Sequence, residues 1–438
     1  MKKQYLTTLL TLTLCSATVL SGCTTKTPSD VSKEHTYTTE EPNTGSDANA
    51  TNPSDSSASA LNGKTLYGIE ITEEKKSSSF TAKDDPDVTV LTANAVYPQF
   101  SIEGNPDAAD QINSAILSEF NTFWNFETEN AGTAEEEYLT SLDSTEAAAP
   151  VTYSANFFYE LKRCDDKIIS IVFTQTDYTG GAHGNVWTYG VSFNAATGER
   201  LYLESLSDDS AAFHKTILDF LTEQASLPVY QEQYLFEGAD ADIESSLLND
   251  SACWYFDRSG ISFICNPYVL GPYAAGTFEF NVPYESLTGL KTAYGYEGNY
   301  IRKLFPGVSA KRDVNGDSSV DEICYSIQPD DTSDGKPSLI INNADLTAQL
   351  DKLSLSYLWT GAYYLMDIDS EDGYTEIAVS NENFEHETET RTHFFRYNSE
   401  GELIYLGNIP GIFDENMQVR YNSNGNLILC DRSGEPVS

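Results

Sequence analysis

The 438-residue chain is predicted to fold as an α+β protein: an antiparallel sheet with packed helices, followed by a mostly β C-terminal domain of hairpin repeats. Three observations carry this expectation. Strand-like runs follow one another instead of alternating with helices. Two clear helical patterns stand apart from them. Past Gly298, short β-rich runs alternate with acidic or Asn/Gly turns. Hydrophobic residues at 40% and aromatics at 12% supply enough apolar surface for packed cores. The division expected is 1–22 as an export signal, 23–64 as a polar tether, 65–297 as the α+β domain and 298–438 as the β-rich domain.

Order begins near Leu66-Tyr67-Gly68-Ile69. Residues 87–102, rich in Val, Leu, Tyr and Phe, read as strand. Asn105-Pro106-Asp107 starts a helix, because proline suits the first turn. Ile112, Ile116, Leu117, Phe120, Phe123 and Trp124 then recur at helical spacing. Strands are expected at 151–161, 168–174 and 187–194. A turn at Ala195-Ala196-Thr197-Gly198 and a further strand at 200–203 follow. A second helix covers 210–225, with Phe213, Ile217, Leu218, Phe220 and Leu221 on one face. Residues 253–256 and 261–265 flank Asp257-Arg258-Ser259-Gly260 as a hairpin. A strand at 277–282 and a short helix at 284–290 close the domain. In the C-terminal part, Arg396-Tyr397-Asn398-Ser399-Glu400-Gly401-Glu402-Leu403-Ile404 recurs as Arg420-Tyr421-Asn422-Ser423-Asn424-Gly425-Asn426-Leu427-Ile428, a duplicated hairpin. About 140 residues are too few for a closed propeller of several four-stranded blades.

The N-terminus carries Lys2 and Lys3, a short apolar run and Leu20-Ser21-Gly22-Cys23. The run is too short to span a bilayer. The segment resembles a bacterial lipoprotein signal. That resemblance implies a diacylglycerol on Cys23 and a mature protein tied by lipid to the membrane, outside the cytoplasm. Residues 24–63 are too polar to bury a core and read as the tether.

The formal charge is −42, from 25 basic and 67 acidic side chains. A field of that sign repels nucleic acid, anionic lipid and anionic wall polymers, and it attracts calcium ions, cationic peptides or basic proteins. It also serves simple solubility. Of seven cysteines, Cys15 leaves with the signal and Cys23 is the lipid site. The other five cannot all pair within one chain. Cys253 and Cys265 are placed to face each other across the hairpin, or the five are buried free thiols. No CxxC pair and no zinc spacing occurs.

Tyr178-Thr179-Gly180-Gly181-Ala182-His183-Gly184 invites a catalytic reading of His183. Set against it is a histidine satisfied by a local hydrogen bond. Gly180, Gly181 and Gly184 let the backbone bend sharply around it. Downstream lie Tyr268-Val269-Leu270-Gly271-Pro272-Tyr273-Ala274-Ala275-Gly276 and Val282-Pro283-Tyr284. With Tyr97-Pro98-Gln99-Phe100 and Asn113, these resemble the extracytoplasmic domain of RsiV-type anti-sigma factors, shared with the non-catalytic N-terminal part of PdaC-type peptidoglycan deacetylases. The resemblance covers roughly residues 93–290. It implies a domain that binds a basic protein, lysozyme. No internal transmembrane helix, sigma-binding segment or deacetylase domain is seen, so sigma regulation is not expected to carry over.

Asp313-Val314-Asn315-Gly316-Asp317-Ser318-Ser319-Val320-Asp321-Glu322-Ile323 is matched in register by Asp367-Ile368-Asp369-Ser370-Glu371-Asp372-Gly373-Tyr374-Thr375-Glu376-Ile377. Oxygens at alternate positions of a curved loop can converge on a hard cation, and calcium accepts ~6–8 of them. Standard EF-hands are excluded, since Ser318 and Asp372 stand where glycine is needed and Cys324 and Ala378 where glutamate is. The loops resemble the calcium loops of integrin-type FG-GAP repeats. That implies Asp313, Asn315, Asp317 and Asp321, then Asp367, Asp369, Glu371 and Glu376, as ligands of calcium with a structural role.

There is no GxSxG elbow, HExxH, P-loop or dinucleotide fingerprint, and His35, His183, His214, His386 and His393 are scattered. The expectation is a lipid-anchored binding or sensing protein with no catalysis, its ligand a cationic protein such as lysozyme or a cell-wall fragment. The competing readings are a wall-directed hydrolase or deacetylase with an unrecognised site, and a purely structural envelope lipoprotein.

Overall fold

A computed structural model describes residues 63–142, 151–249, 251–328, 336–352, 362–369, 371–381, 391–411, 418–421, 427–430 and 436. Cys23, the signal and most of the tether lie outside these residues. No helix among the described residues is long and apolar enough to cross a membrane.

The first sheet has six strands in chain order: β1 (Lys64–Leu66), β2 (Ile69–Thr81), β3 (Thr89–Ile102), β4 (Tyr153–Cys164), β5 (Ile168–Tyr178) and β6 (Asn185–Asn194). All neighbours are antiparallel except β3 and β4, which run parallel from Leu91↔Tyr153 to Ala95↔Phe157. Between them lies α1 (Pro106–Leu142), the long crossover that a parallel pair requires. Its start is as expected: the Asn105 side chain accepts from the Ala108 N–H at 3.4 Å. Asn113 clamps the helix to β3, accepting from Phe100 N and donating to Phe100 O, both at 2.8 Å. This explains the pairing of that asparagine with the Tyr-Pro-Gln-Phe segment. Ile112, Ile116, Phe120 and Phe123 are buried on the sheet. Phe123 stacks on Phe157 at 5.2 Å, and Phe157 on Phe173 at 5.0 Å. Each such ring stabilises the fold by ~1.5–3 kcal/mol through burial. Leu117, expected on this face, is exposed. Trp124 is covered by the Lys76 ammonium, 4.0 Å from the ring centroid.

A second layer follows: α2 (Ser210–Ala225), α3 (Pro228–Gln233) and α4 (Ile243–Leu247), then a three-stranded sheet of β7 (Trp254–Phe256), β8 (Gly260–Cys265) and β9 (Phe278–Pro283). Helix α2 has the predicted bounds, capped by the Asp209 carboxylate on Ala212 N at 3.1 Å. Two expectations fail locally. Residues 200–203 form no strand beyond the bridge Phe193↔Arg200, and 284–290 holds the 3-10 turn Tyr284–Ser286 and the bridge Ser207↔Leu290 in place of a helix. Strand β7 crosses close over β6 at Gly190, where a Cβ would overlap the Trp254 carbonyl oxygen.

The hairpin β7–β8 forms, but its register pairs Trp254 with Phe263, so Ile264 N bonds Cys253 O. Cys253 therefore stands opposite Ile264. One residue of offset sends Cys265 to the other face. The two form no disulfide, and neither do Cys164, Cys324 and Cys430. Burial pushes Cys253 up to about 11 and Cys265 well above the ordinary thiol range, which leaves neither reactive.

Among the described residues, the regular elements of the C-terminal region are strands apart from α5 (Thr347–Lys352). One meander joins β11 (Ser309–Arg312), β12 (Asp321–Gln328), β13 (Lys336–Ile341) and β14 (Ala344–Asp345). The other sheet runs β10 (Ile301–Leu304), β15 (Tyr363–Met366), β16 (Glu376–Asn381), β17 (Arg391–Tyr397) and β18 (Leu403–Pro410). A further hairpin, β19 (Gln418–Tyr421) and β20 (Leu427–Cys430), is the second copy of β17–β18; the turn of that copy, 422–426, lies outside the described residues. Each sheet holds a strand, acidic loop, strand unit, β11–β12 in the first and β15–β16 in the second. The hydrophobic core does not divide at residue 298. One cluster runs from Phe213 and Phe280 through Leu304 and Ile323 to Phe395, while 69–195 encloses a separate core. Phe305 packs on Tyr230 and Tyr234 at 5.7 and 5.1 Å. The compositional change at Gly298 thus falls within a shared core.

Candidate functional site

The Gly-rich bend joins β5 to β6. Gly180 and Gly181 have φ of +94° and +99°, which only glycine adopts without strain. This turns His183 back over the sheet end. His183 Nδ1 lies 2.9 Å from the Gly184 carbonyl oxygen. A carbonyl only accepts, so Nδ1 carries the proton and Nε2 is left as an acceptor, 3.5 Å from the Tyr268 hydroxyl. The imidazole stacks on Tyr273 at 3.8 Å and 20°, and the Tyr273 hydroxyl donates to the same Gly184 carbonyl at 2.9 Å.

The two glycine-containing motifs, about 90 residues apart in sequence, are therefore one structure. A buried asparagine joins them: Asn266 Oδ1 accepts from Thr188 N and Asn266 Nδ2 donates to Thr188 O, both at 2.7 Å. It pins the start of the 266–276 segment to β6. Sequence reasoning missed Asn266, which has no local signal beyond following a strand. The surface that results is aromatic. Tyr268 is 62% exposed, and Tyr273 lies 5.9 Å from it. Among the described residues, neither ring nitrogen of His183 contacts a carboxylate, and the hydroxyl within its reach is that of Tyr268. The arrangement offers flat π faces for stacking or for a cation.

The acidic loops lie side by side, with Thr375 N donating to Val314 O at 3.3 Å. In each, the carboxylate that begins the next strand reaches back to the second residue of the loop, from one position further along in the second loop. Asp321 Oδ2 accepts from Val314 N and Glu376 Oε2 from Ile368 N, both at 3.0 Å. In the first loop Asp313 accepts from Asn315 N, Gly316 N and Ser318 N, Asn315 from Asp317 N, and Asp317 from Ser319 N. Asp321 also holds Asn342. These side chains close the turn on its own backbone. In the second loop Asp369 accepts from Glu371 N at 3.2 Å, Glu371 is exposed, and Glu376 is paired with Arg396. Asp367 differs from all of these. Its Oδ1 is buried without a partner among the described residues. Burial, then Asp372, pushes its carboxyl up to about 6, opposed by Arg312. Among the described residues no three His, Cys, Asp or Glu side chains are grouped as metal ligands. The orphaned Asp367 oxygen is the atom that a cation would satisfy.

Residues 86–186 match the family model described as Deacetylase PdaC. Residues 207–285 match that of a protein family of unknown function, DUF3298. The first match takes in β3, α1 and the His183 bend, the second α2 to β9. Among solved structures the chain is similar to a DUF3298 family member from Bacteroides fragilis, 17% identical, covering 52% of this chain and 96% of that one, with a TM-score of 0.41. It is also similar to a DUF3298 family protein from Pseudomonas aeruginosa, 17% identical, covering 53% and 98%, with a TM-score of 0.34. No curated protein matches the chain.

Proposed function

We propose that this chain is an extracytoplasmic envelope protein that binds or senses a ligand, anchored through a lipid on Cys23, and that the His183–Tyr273 platform is its contact surface. The ligand proposed is a cationic protein such as lysozyme, with a wall fragment as the second choice. The observation that carries the reading is the convergence of two distant motifs on exposed aromatic faces, with His183 occupied by Gly184 and Tyr268. Exposed Trp and Tyr are the residue types that dominate binding energy at interfaces. The net charge of −42 supports a basic partner by steering and complementarity. The two domain matches support an envelope setting.

The test is co-purification of the full chain, in detergent, with lysozyme at low and moderate salt. Association that weakens with salt is expected, and Tyr273→Ala or Tyr268→Ala is expected to weaken it about tenfold, the ~1.4 kcal/mol typical of an interface anchor. No association at either salt would remove lysozyme from the account. The name of the first matched family favours a second reading, deacetylation. It predicts release of acetate from acetylated wall glycan, abolished by His183→Ala.

The acidic loops are proposed to take calcium at Asp367, structurally, pinning the second loop against the first. Adding millimolar calcium should raise the melting temperature by a few degrees, about 1 kcal/mol by mass action at a weak site, and EDTA should reverse it. An unchanged melting temperature, or one equally shifted in Asp367→Asn, would rule this out.

A further inference from the structure

Arg163 and Arg302 are both buried, and the fold treats them oppositely. Arg163 uses all five of its N–H groups: Nε and Nη2 on Asp165, Nη1 on the Tyr284 hydroxyl and the Tyr294 carbonyl, Nη2 also on the Gly295 carbonyl. Arg302, on β10, is 5% exposed, and its Nε has no partner among the described residues. No ion pair to it is formed there either; Glu285 acts on it only through space. A buried guanidinium without an anion is costly. It is also the reverse of what excess acidity leads one to expect in a chain of net charge −42.

Arg302 borders a cavity of about 440 Å³ between the β7–β9 sheet and the start of the C-terminal strands. That is within the ~300–1,000 Å³ usual for small-molecule sites. Tyr230, Tyr234 and Phe305, packed on one another, form an aromatic wall, and Lys303 stands at the edge. The carboxylates that line it are already engaged. Asp257 accepts from Ser259 N, Gly260 N, the Ser262 hydroxyl and Asn281 Nδ2, and Glu279 from the Tyr255 hydroxyl. Asn281 is the second anomaly. Its Nδ2 donates to Asp257, Ser259 and Ser262, while its Oδ1 is buried without a partner among the described residues. The cavity thus combines an unused planar cation, an unused amide acceptor and aromatic faces.

We propose that this cavity binds a small organic carboxylate that also carries an amide N–H, with the carboxylate on Arg302 and the N–H on Asn281 Oδ1. The planar guanidinium fork matches a carboxylate's two oxygens. The orphaned Asn281 oxygen is an acceptor that an N–H of the same ligand would satisfy. The aromatic wall takes its apolar or sugar face. An acidic amino sugar and a peptide C-terminus share this chemistry. The site does not depend on the His183 platform and stands or falls without it.

The experiment is titration calorimetry of the full chain, in detergent, with N-acetylmuramic acid, with alanylalanine and with inorganic phosphate. Saturable binding of at least one of the two carboxylates, with a Kd below about 1 mM, is expected, and phosphate should bind at least tenfold more weakly. Which carboxylate binds identifies the source. Arg302→Met should weaken binding by tenfold or more while leaving the melting temperature unchanged or raised, since it removes a buried unpaired charge; a purely structural arginine would lower it. Lys303→Ala, at an exposed position, should fold normally and weaken binding severalfold. No saturable heat from either carboxylate up to about 10 mM, equal affinity for phosphate, or wild-type affinity in both variants would overturn the proposal.

Discussion

Arg163→Met is expected to destabilise the chain by about 3–5 kcal/mol, the cost of removing one partner from a buried charge pair. Arg163 is 1% exposed and sits at a bulge in β4, where the register shifts between Leu161 and Arg163. Its guanidinium joins four pieces of chain: its own strand, the β4–β5 turn through Asp165, the Val-Pro-Tyr segment through Tyr284, and residues 294–295 leading into the C-terminal strands. Asp165 in turn accepts from Lys167 N and Ile168 N at 2.9 and 2.8 Å, and the Tyr284 hydroxyl donates to Asp257 O at 2.9 Å. Methionine keeps the volume but leaves Asp165 and two carbonyls short of donors. Lysine restores the charge but offers one nitrogen in place of a fork, so Arg163→Lys should recover less than half of the loss. Urea unfolding midpoints of the three proteins measure this. A loss below about 1 kcal/mol in the methionine variant would mean that the network contributes no more than a surface ion pair.

Acid should destabilise the C-terminal strands through His393. This side chain is 5% exposed on β17, with Nδ1 3.1 Å from the Tyr405 hydroxyl and Nε2 buried without a partner among the described residues. Burial, then Arg391, holds its pKa down to about 4, against 6.5 for an ordinary histidine. The folded state resists the proton that the unfolded chain accepts. The stability it protects is therefore complete above pH 6.5 and is lost as pH falls from 6.5 to about 4. The slope is ~1.4 kcal/mol per pH unit, about 3 kcal/mol in all. His393→Gln keeps a hydrogen-bonding side chain and removes the titration. Its stability should change less than that of the wild type between pH 7 and 4.5, with carboxylate titration common to both. Parallel pH profiles for the two proteins would show that His393 carries no such linkage.

What could be read along the chain was local. The helix over 210–225 was legible because its spacing and its Asp209 cap are both within one segment. The same holds for the 253–265 hairpin and the Gly-Gly bend. Alternation along β4 places Tyr153 to Leu161 on the α1 core, but the bulge between Leu161 and Arg163 sets Arg163 opposite Ser170 and turns it to the other face, towards Tyr284, so the strand pattern carried no mark of the network. The acidic loops were recognised as a pair, and they do lie together. Their ligand pattern, however, could not reveal that Glu376 would meet Arg396 and that Asp367 would be left alone.

Periodicity, caps and turn residues determined the elements and the α+β class, since each depends on neighbours within a few positions. Packing decided the rest. It brought the His183 bend to Tyr273, offset Cys253 from Cys265 by one residue, carried one core across residue 298, and surrounded Arg163 with acceptors while leaving Arg302 facing a cavity. A residue's partners across tens or hundreds of positions follow from register and burial. The same arginine in the same kind of strand carries no mark in sequence of which fate it meets.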